Sequence, residues 1–167
     1  MKGWSLALSA LATVVCTAPA PRLALAQALP THRIPAALAL EAVGEVVSEC
    51  ARQGYSETAV LVDVDGVRQA VLRGDRAGAH TLDSAFEKAY TAASFKSDTS
   101  ALVERAKTTP IAPLLAKLPN TLLFGGGLVI KIDDEVVGAI GASGAPGGDL
   151  DDGCARAGRD KIGIRLK

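Results

Sequence analysis

Residues 58–64 read Thr-Ala-Val-Leu-Val-Asp-Val, with four apolar side chains in unbroken succession at 59–62. A strand with one wet face alternates apolar and polar residues, whereas an uninterrupted apolar run marks a strand covered on both faces. Asp65-Gly66 follows, and then a second β-branched run over 67–73. Asp-Gly between two such runs predicts a hairpin with a type I′ turn, because that turn needs positive φ at both central positions. A sheet buried on both sides requires further layers, so the rest of the chain must supply helices to both faces.

The flanking sequence supplies them. Pro35 suits the first turn of a helix, and Ala39, Ala42, Val43, Val46, Val47 and Cys50 form a helical stripe. Gly54 is placed to end that helix. After a loop over 74–79, the pattern predicts a helix over 81–95 with Leu82, Ala85, Phe86, Ala89 and Ala93 facing inward. Asp98 or Thr99 can cap a short helix reaching about Lys107, and Thr109-Pro110 can open another turn to Leu118. Residues 122–132 read as strand, glycine bend, strand. Asp133-Asp134 makes a turn, 136–143 is the last strand, and 149–162 is a closing helix. The order predicts an α+β protein whose central antiparallel sheet of about five strands carries helices on its faces.

The N-terminus reads as a secretory signal. Lys2 gives the positive start, Trp4 to Val15 an apolar stretch, and Ala24-Leu25-Ala26 a small-x-small cleavage site. A membrane-spanning helix needs roughly 20 apolar residues, and Pro19 and Pro21 interrupt this run early. Cleavage after Ala26 leaves 27–167 as one domain, with 27–34 as a flexible polar arm, in the periplasm or outside the cell. Removing Lys2 and Arg22 from the 18 basic residues leaves the mature chain slightly acidic against its 18 acidic ones. No basic face is available for nucleic acid, and no membrane span remains once the signal is gone.

Cys16 leaves with the signal, so Cys50 and Cys154 remain. Two cysteines in an oxidising compartment invite a disulfide; the alternative is two buried thiols that never meet. Without a C-x-x-C, a redox motif or zinc knuckle has no support. His80, just before a predicted helix, is the best candidate for a haem-iron or transition-metal ligand, against a plain loop histidine. His32, in the arm, is a weaker second candidate. Gly125, Gly126 and Gly127 bring three unhindered backbone N–H groups together, which can approach an anion; equally, glycines there can permit close helix-on-sheet contact. The runs around Asp133 and Asp149 read as a turn and a helix first turn rather than a cation site.

Three stretches, Lys88-Ala-Tyr-Thr-Ala92, the segment from Gly125 to Ile130, and the segment from Val137 to Gly144, resemble the GlcG/HbpS family of small α+β proteins. The resemblance spans about 36–163. It implies a profilin-like fold with the terminal helices packed together, which would set Cys50 and Cys154 on neighbouring helices. Several members bind haem, so the resemblance implies an exported haem or tetrapyrrole binder, non-enzymatic, acting in haem or iron scavenging or redox sensing. Other members are linked to glycolate metabolism, which leaves a binder of, or accessory enzyme for, a small organic acid as the alternative. Homo-oligomers are common in the family. Arg73 and Asp75 match a family Arg-x-Asp at a strand end, where Arg can hold a propionate or organic acid bidentately; an ion pair between the two is the competing reading. Tyr90 falls in a family-like stretch, and phenolate can ligate haem iron, although packing suits a helical Tyr among alanines.

Overall fold

A computed structural model describes residues 31–166. The signal-peptide reading concerns residues 1–26 and lies outside the described residues. The order is α1 (Ala36–Arg52), β1 (Thr58–Asp63), β2 (Arg68–Arg73), α2 (Thr81–Phe95), α3 (Thr99–Ala106), α4 (Ala112–Leu115), β3 (Gly127–Ile132), β4 (Glu135–Ser143) and α5 (Gly148–Gly163). The four strands form one antiparallel sheet in the order β2-β1-β4-β3. β1 and β4 are central and almost wholly buried, as the apolar run at 59–62 requires.

Two apolar layers sandwich the sheet. On one face α1 and α5 pack Ala42, Val43, Val46, Ala155 and Ile162 against Leu61, Leu128 and Ile140. On the other, α2 packs Ala85, Phe86, Ala89 and Ala92 against Val60, Val62 and Ala139. Small residues let the layers close. A Cβ on Gly158 would sit 2.4 Å from Val46 and 2.5 Å from the Ala42 carbonyl, so glycine there sets the α1–α5 approach. That approach brings the Cα atoms of Cys50 and Cys154 to 5.5 Å, and a disulfide joins them, fully buried.

Three local expectations need correction. The hairpin after β1 is not a type I′ turn. Gly66 alone takes positive φ (+80°), because the Asp63 carboxylate accepts the N–H groups of Asp65 (3.0 Å) and Val67 (2.9 Å) and holds a three-residue turn closed by the glycine. The strand expected at 122–124 does not form, which accounts for four strands rather than five. Its neighbourhood is bonded elsewhere: Leu122 N–H donates to Thr91 Oγ1 (2.9 Å) and Phe124 N–H to the Leu122 carbonyl (3.0 Å). Leu82 is 37% exposed rather than inward, since it lies one turn above Phe86 on the flank of α2. In the expected arm, residues 31–34 have no regular structure, yet Ile34 is buried and its carbonyl accepts a hydrogen bond from Gln69.

Candidate functional site

One end of the sheet gathers most of the polar candidates. Here β1 begins, β2 and β4 end, and β3 begins: Thr58 lies opposite both Arg73 and Ser143, and Gly127 opposite Gly141. α2 and α5 both start at this end. Thr81 donates its hydroxyl to the Gly78 carbonyl (2.6 Å), so Thr58 is the donor in the buried 2.6 Å Thr58–Thr81 bond that seats α2 on the sheet. Ser84 and Ser143 form a second hydroxyl pair at 2.7 Å.

Beneath this end lies a buried ionisable cluster that the sequence reading did not single out. Lys88 reaches from α2, and its Nζ donates to Asp151 Oδ2 (2.5 Å) and to the Ala142 carbonyl (3.0 Å). Asp151 Oδ1 and Glu57 Oε1 share the N–H of Ala145, at 3.1 and 2.6 Å. Burial, and then the neighbouring Asp151 carboxylate, push the Glu57 carboxyl up to about 8. Near neutral pH Glu57 is therefore protonated beside the Lys88–Asp151 pair. Glu57 Oε2 is buried and has no hydrogen-bond partner.

The glycine triplet lids this cluster. Gly126 has φ +114°, and a Cβ there would stand 2.8 Å from Asp151 Cβ and 2.9 Å from Lys88 Nζ. Gly126 N–H donates to Asp152 (2.6 Å) and Gly127 N–H to Thr99 Oγ1 (2.9 Å). Two of the three backbone donors expected to meet an anion are thus used internally. Gly125, with Phe124, Ser100, Gly148 and Asp152, lines an open cavity of about 220 Å³.

Arg73, Asp75 and His80 surround the other side of the same end, all exposed. Arg73 Nε–H donates to the Ala77 carbonyl (2.7 Å), which fixes the loop after β2. Among the described residues its terminal guanidinium nitrogens make no hydrogen bond, and no ion pair joins it to Asp75. Asp75 instead lines a cavity of about 360 Å³ with Tyr55, Glu57, Gly74 and Arg76. His80 immediately precedes α2. Arg73 lies opposite Thr58 and Val71 opposite Val60, so both project on the α2 face of edge strand β2. Val71 (44% exposed) and Leu82 leave apolar surface there, while the Phe86 ring is buried beneath the Arg68 guanidinium, which stacks 3.4 Å from its centroid.

Tyr90 and His32 belong to the opposite end. The Tyr90 ring packs under the Gly66 turn and beside Phe86, 5.8 Å between centroids. His32 Nδ1 lies 2.6 Å from Glu135 Oε2 at the start of β4, and this contact holds the Glu135 carboxyl below the usual carboxylate range. The structure therefore groups Arg73, Asp75, His80 and residues 125–127 at one end and separates Tyr90 and His32 from them.

A single antiparallel sheet between a lone helix and two covalently joined terminal helices, with polar groups gathered at one sheet end, defines a profilin-like α+β class. Residues 34–160 match the family described as haem degrading protein HbpS-like, and the chain belongs to that family. The crystal structure of HbpS is similar at 34% identity and TM-score 0.77, over 82% of this chain and 95% of that one. Klebsiella pneumoniae protein ORFY (23% identity, TM-score 0.75, covering 83% of this chain and 97% of that one) shares the fold. So does PduOC, solved as a haem complex (22% identity, TM-score 0.68, covering 73% and 89%). Comparison with curated protein sequences finds no match.

Proposed function

We propose that this protein is an exported, non-enzymatic haem-binding protein that serves in haem or iron scavenging or in redox sensing. The observation that carries this reading is the grouping of an imidazole, a guanidinium and an apolar flank at one edge of a fold whose family description names haem. Haem needs an apolar surface for its macrocycle, cations for its propionates and a ligand for iron. Val71 and Leu82 offer the first, Arg73 and Arg68 the second, and His80 the third. Haem so bound supplies redox-active iron, while the chain's own residues hold it and limit its exposure to water. That PduOC has been solved with haem adds weight, since it shares the fold. Self-assembly belongs to the proposal: β2 and β3 are edge strands, and Ile111, Leu114, Leu118 and Phe124 leave apolar surface exposed.

Titration of the purified protein with haemin, followed at the Soret band, tests this reading. A saturable shift near one haem per chain supports it, and an unsaturable rise contradicts it. Because the family description names haem degradation, the saturated complex is then treated with a reductant in air. A persistent Soret band agrees with binding alone, and its steady loss would assign turnover.

A second reading is favoured by the uncommitted end of the exposed Arg73 guanidinium: a small organic acid, such as a glycolate-type metabolite, held through its carboxylate. A ligand that binds only the folded state raises its melting temperature. Stabilisation by small hydroxy acids, lost in Arg73→Ala, would support this alternative.

A further inference from the structure

The disulfide and the orphaned carboxylate are neighbours. One ligand atom from each of Cys50, Cys154 and Glu57 falls within 4.8 Å of the other two, and all three residues are buried. Glu57 Oε2 has no partner although it is 1% exposed as a residue. A buried carboxyl oxygen without a hydrogen-bond partner is uncommon in folded proteins and calls for a physical explanation. Lys88 does not answer it, because its ammonium is directed at Asp151 and the Ala142 carbonyl.

We propose that Cys50, Cys154 and Glu57 form a redox-gated site for a borderline-soft divalent cation of the Zn²⁺ class, available only when the disulfide is open. Two thiolates and a carboxylate are a donor set that zinc accepts, and three protein ligands leave a fourth position for water. The helices already hold the two Cα atoms 5.5 Å apart, so the sulfurs converge without rearrangement of α1 or α5. The 360 Å³ cavity between the end of α1 and the loop after β2 counts Glu57 among its lining residues, while Cys50 and Cys154 lie buried behind it, so opening the disulfide needs local loosening of the α1–α5 contact.

The chemistry balances. A dithiol reductant gives up two electrons and two protons, becomes a disulfide itself, and leaves Cys50 and Cys154 as thiols. The arriving cation displaces both thiol protons and the Glu57 carboxyl proton to solvent, so binding strengthens as pH rises. Reoxidation returns the electrons to an oxidised dithiol partner, reforms the S–S bond and expels the ion. The site is independent of the haem reading, since none of its three ligands lies on the Arg73–His80 edge.

The test is a Co²⁺ titration of the purified protein, oxidised and then fully reduced with a phosphine without oxygen. The expected result is one Co²⁺ per reduced chain with thiolate-to-cobalt charge-transfer bands, displaced by Zn²⁺, and none for the oxidised protein. Glu57→Gln should weaken the reduced site by more than the roughly 10- to 100-fold that loss of an outer-shell partner costs. Circular dichroism of the reduced protein accompanies the titration. A folded reduced chain with no cobalt bands overturns the proposal. So does equal affinity in Glu57→Gln, which marks a two-thiol adventitious site. Reduction that unfolds the chain, with no refolding by Zn²⁺, overturns it equally.

Discussion

Lys88 Nζ and Asp151 Oδ2 stand 2.5 Å apart across the end of the sheet, with both side chains 2% exposed. α2 and α5 lie on opposite faces, so this pair is a polar bolt through the plane of the sheet, capped by the Ala142 carbonyl and lidded by Gly126. Its role is to fix how the two helix starts meet around the sheet end where Arg73 and His80 are displayed.

Removing one partner leaves the other charged and buried, which costs about 3–5 kcal/mol. Lys88→Met and Asp151→Asn should each lose stability on that scale in urea denaturation. Lys88→Met combined with Asp151→Leu should lose less than the sum, because apolar replacement of both removes the desolvation cost as well. Additive losses would show that the two side chains do not act as a pair.

Glu57 gives stability a pH dependence of unusual sign. The folded chain keeps a proton on Glu57 up to about 8, whereas the unfolded chain releases it near 4.3, the ordinary value of about that size. Between these limits the folded state binds more protons, so its stability falls as pH rises, by at most about 1.4 kcal/mol per pH unit, and levels off above the folded pKa. Glu57→Gln should flatten this slope. Wild-type and variant stability curves that run parallel over this window would contradict the assignment.

The disulfide closes a loop with a sequence separation of 104. Cys50→Ala with Cys154→Ala should cost roughly 2–5 kcal/mol, chiefly by freeing the unfolded chain. Thermal melts of the two proteins check this, and an unchanged midpoint would show that α1–α5 packing alone sets stability.

Much of this architecture is legible because it follows local rules. The apolar run at 59–62 announces a central strand, and the alanine and valine stripe of α1 announces a buried helix face. The missing strand at 122–124 was not legible, since Thr91, which accepts the Leu122 N–H, comes from a distant segment, as do Asp152 and Thr99, which accept the N–H groups of Gly126 and Gly127 just beyond it. The buried cluster left a signal in the pattern. Lys88 falls on the apolar side of α2 between Ala85 and Ala92, and Asp151 begins the inner stripe of α5 that continues through Cys154, Ala155 and Gly158. A charge on an apolar stripe implies a buried partner, but which partner depends on the fold. Arg73, Asp75 and His80 were legible as candidates, while the separation of Tyr90 and His32 from them needed the strand register.

Gly126 is the position where a single methyl group should do most harm at the site. Alanine there must accept φ +114° and place its Cβ 2.6 Å from the Ala142 carbonyl. Strain of about 1–3 kcal/mol for the backbone, with the clash added, predicts marked destabilisation of Gly126→Ala by thermal melt. Gly153→Ala, where a Cβ meets nothing within 4 Å, should be nearly silent.

Parallel haemin titrations of wild type, His80→Ala, Arg73→Ala and His32→Ala decide whether haem binds at the Arg73–His80 edge, as proposed. Haem at that edge gives an altered Soret band in His80→Ala, weakened binding with an unchanged band in Arg73→Ala, and wild-type behaviour in His32→Ala, whose imidazole is paired with Glu135 at the far end of the sheet. Saturable haem binding that is identical in wild type, His80→Ala and Arg73→Ala would contradict it.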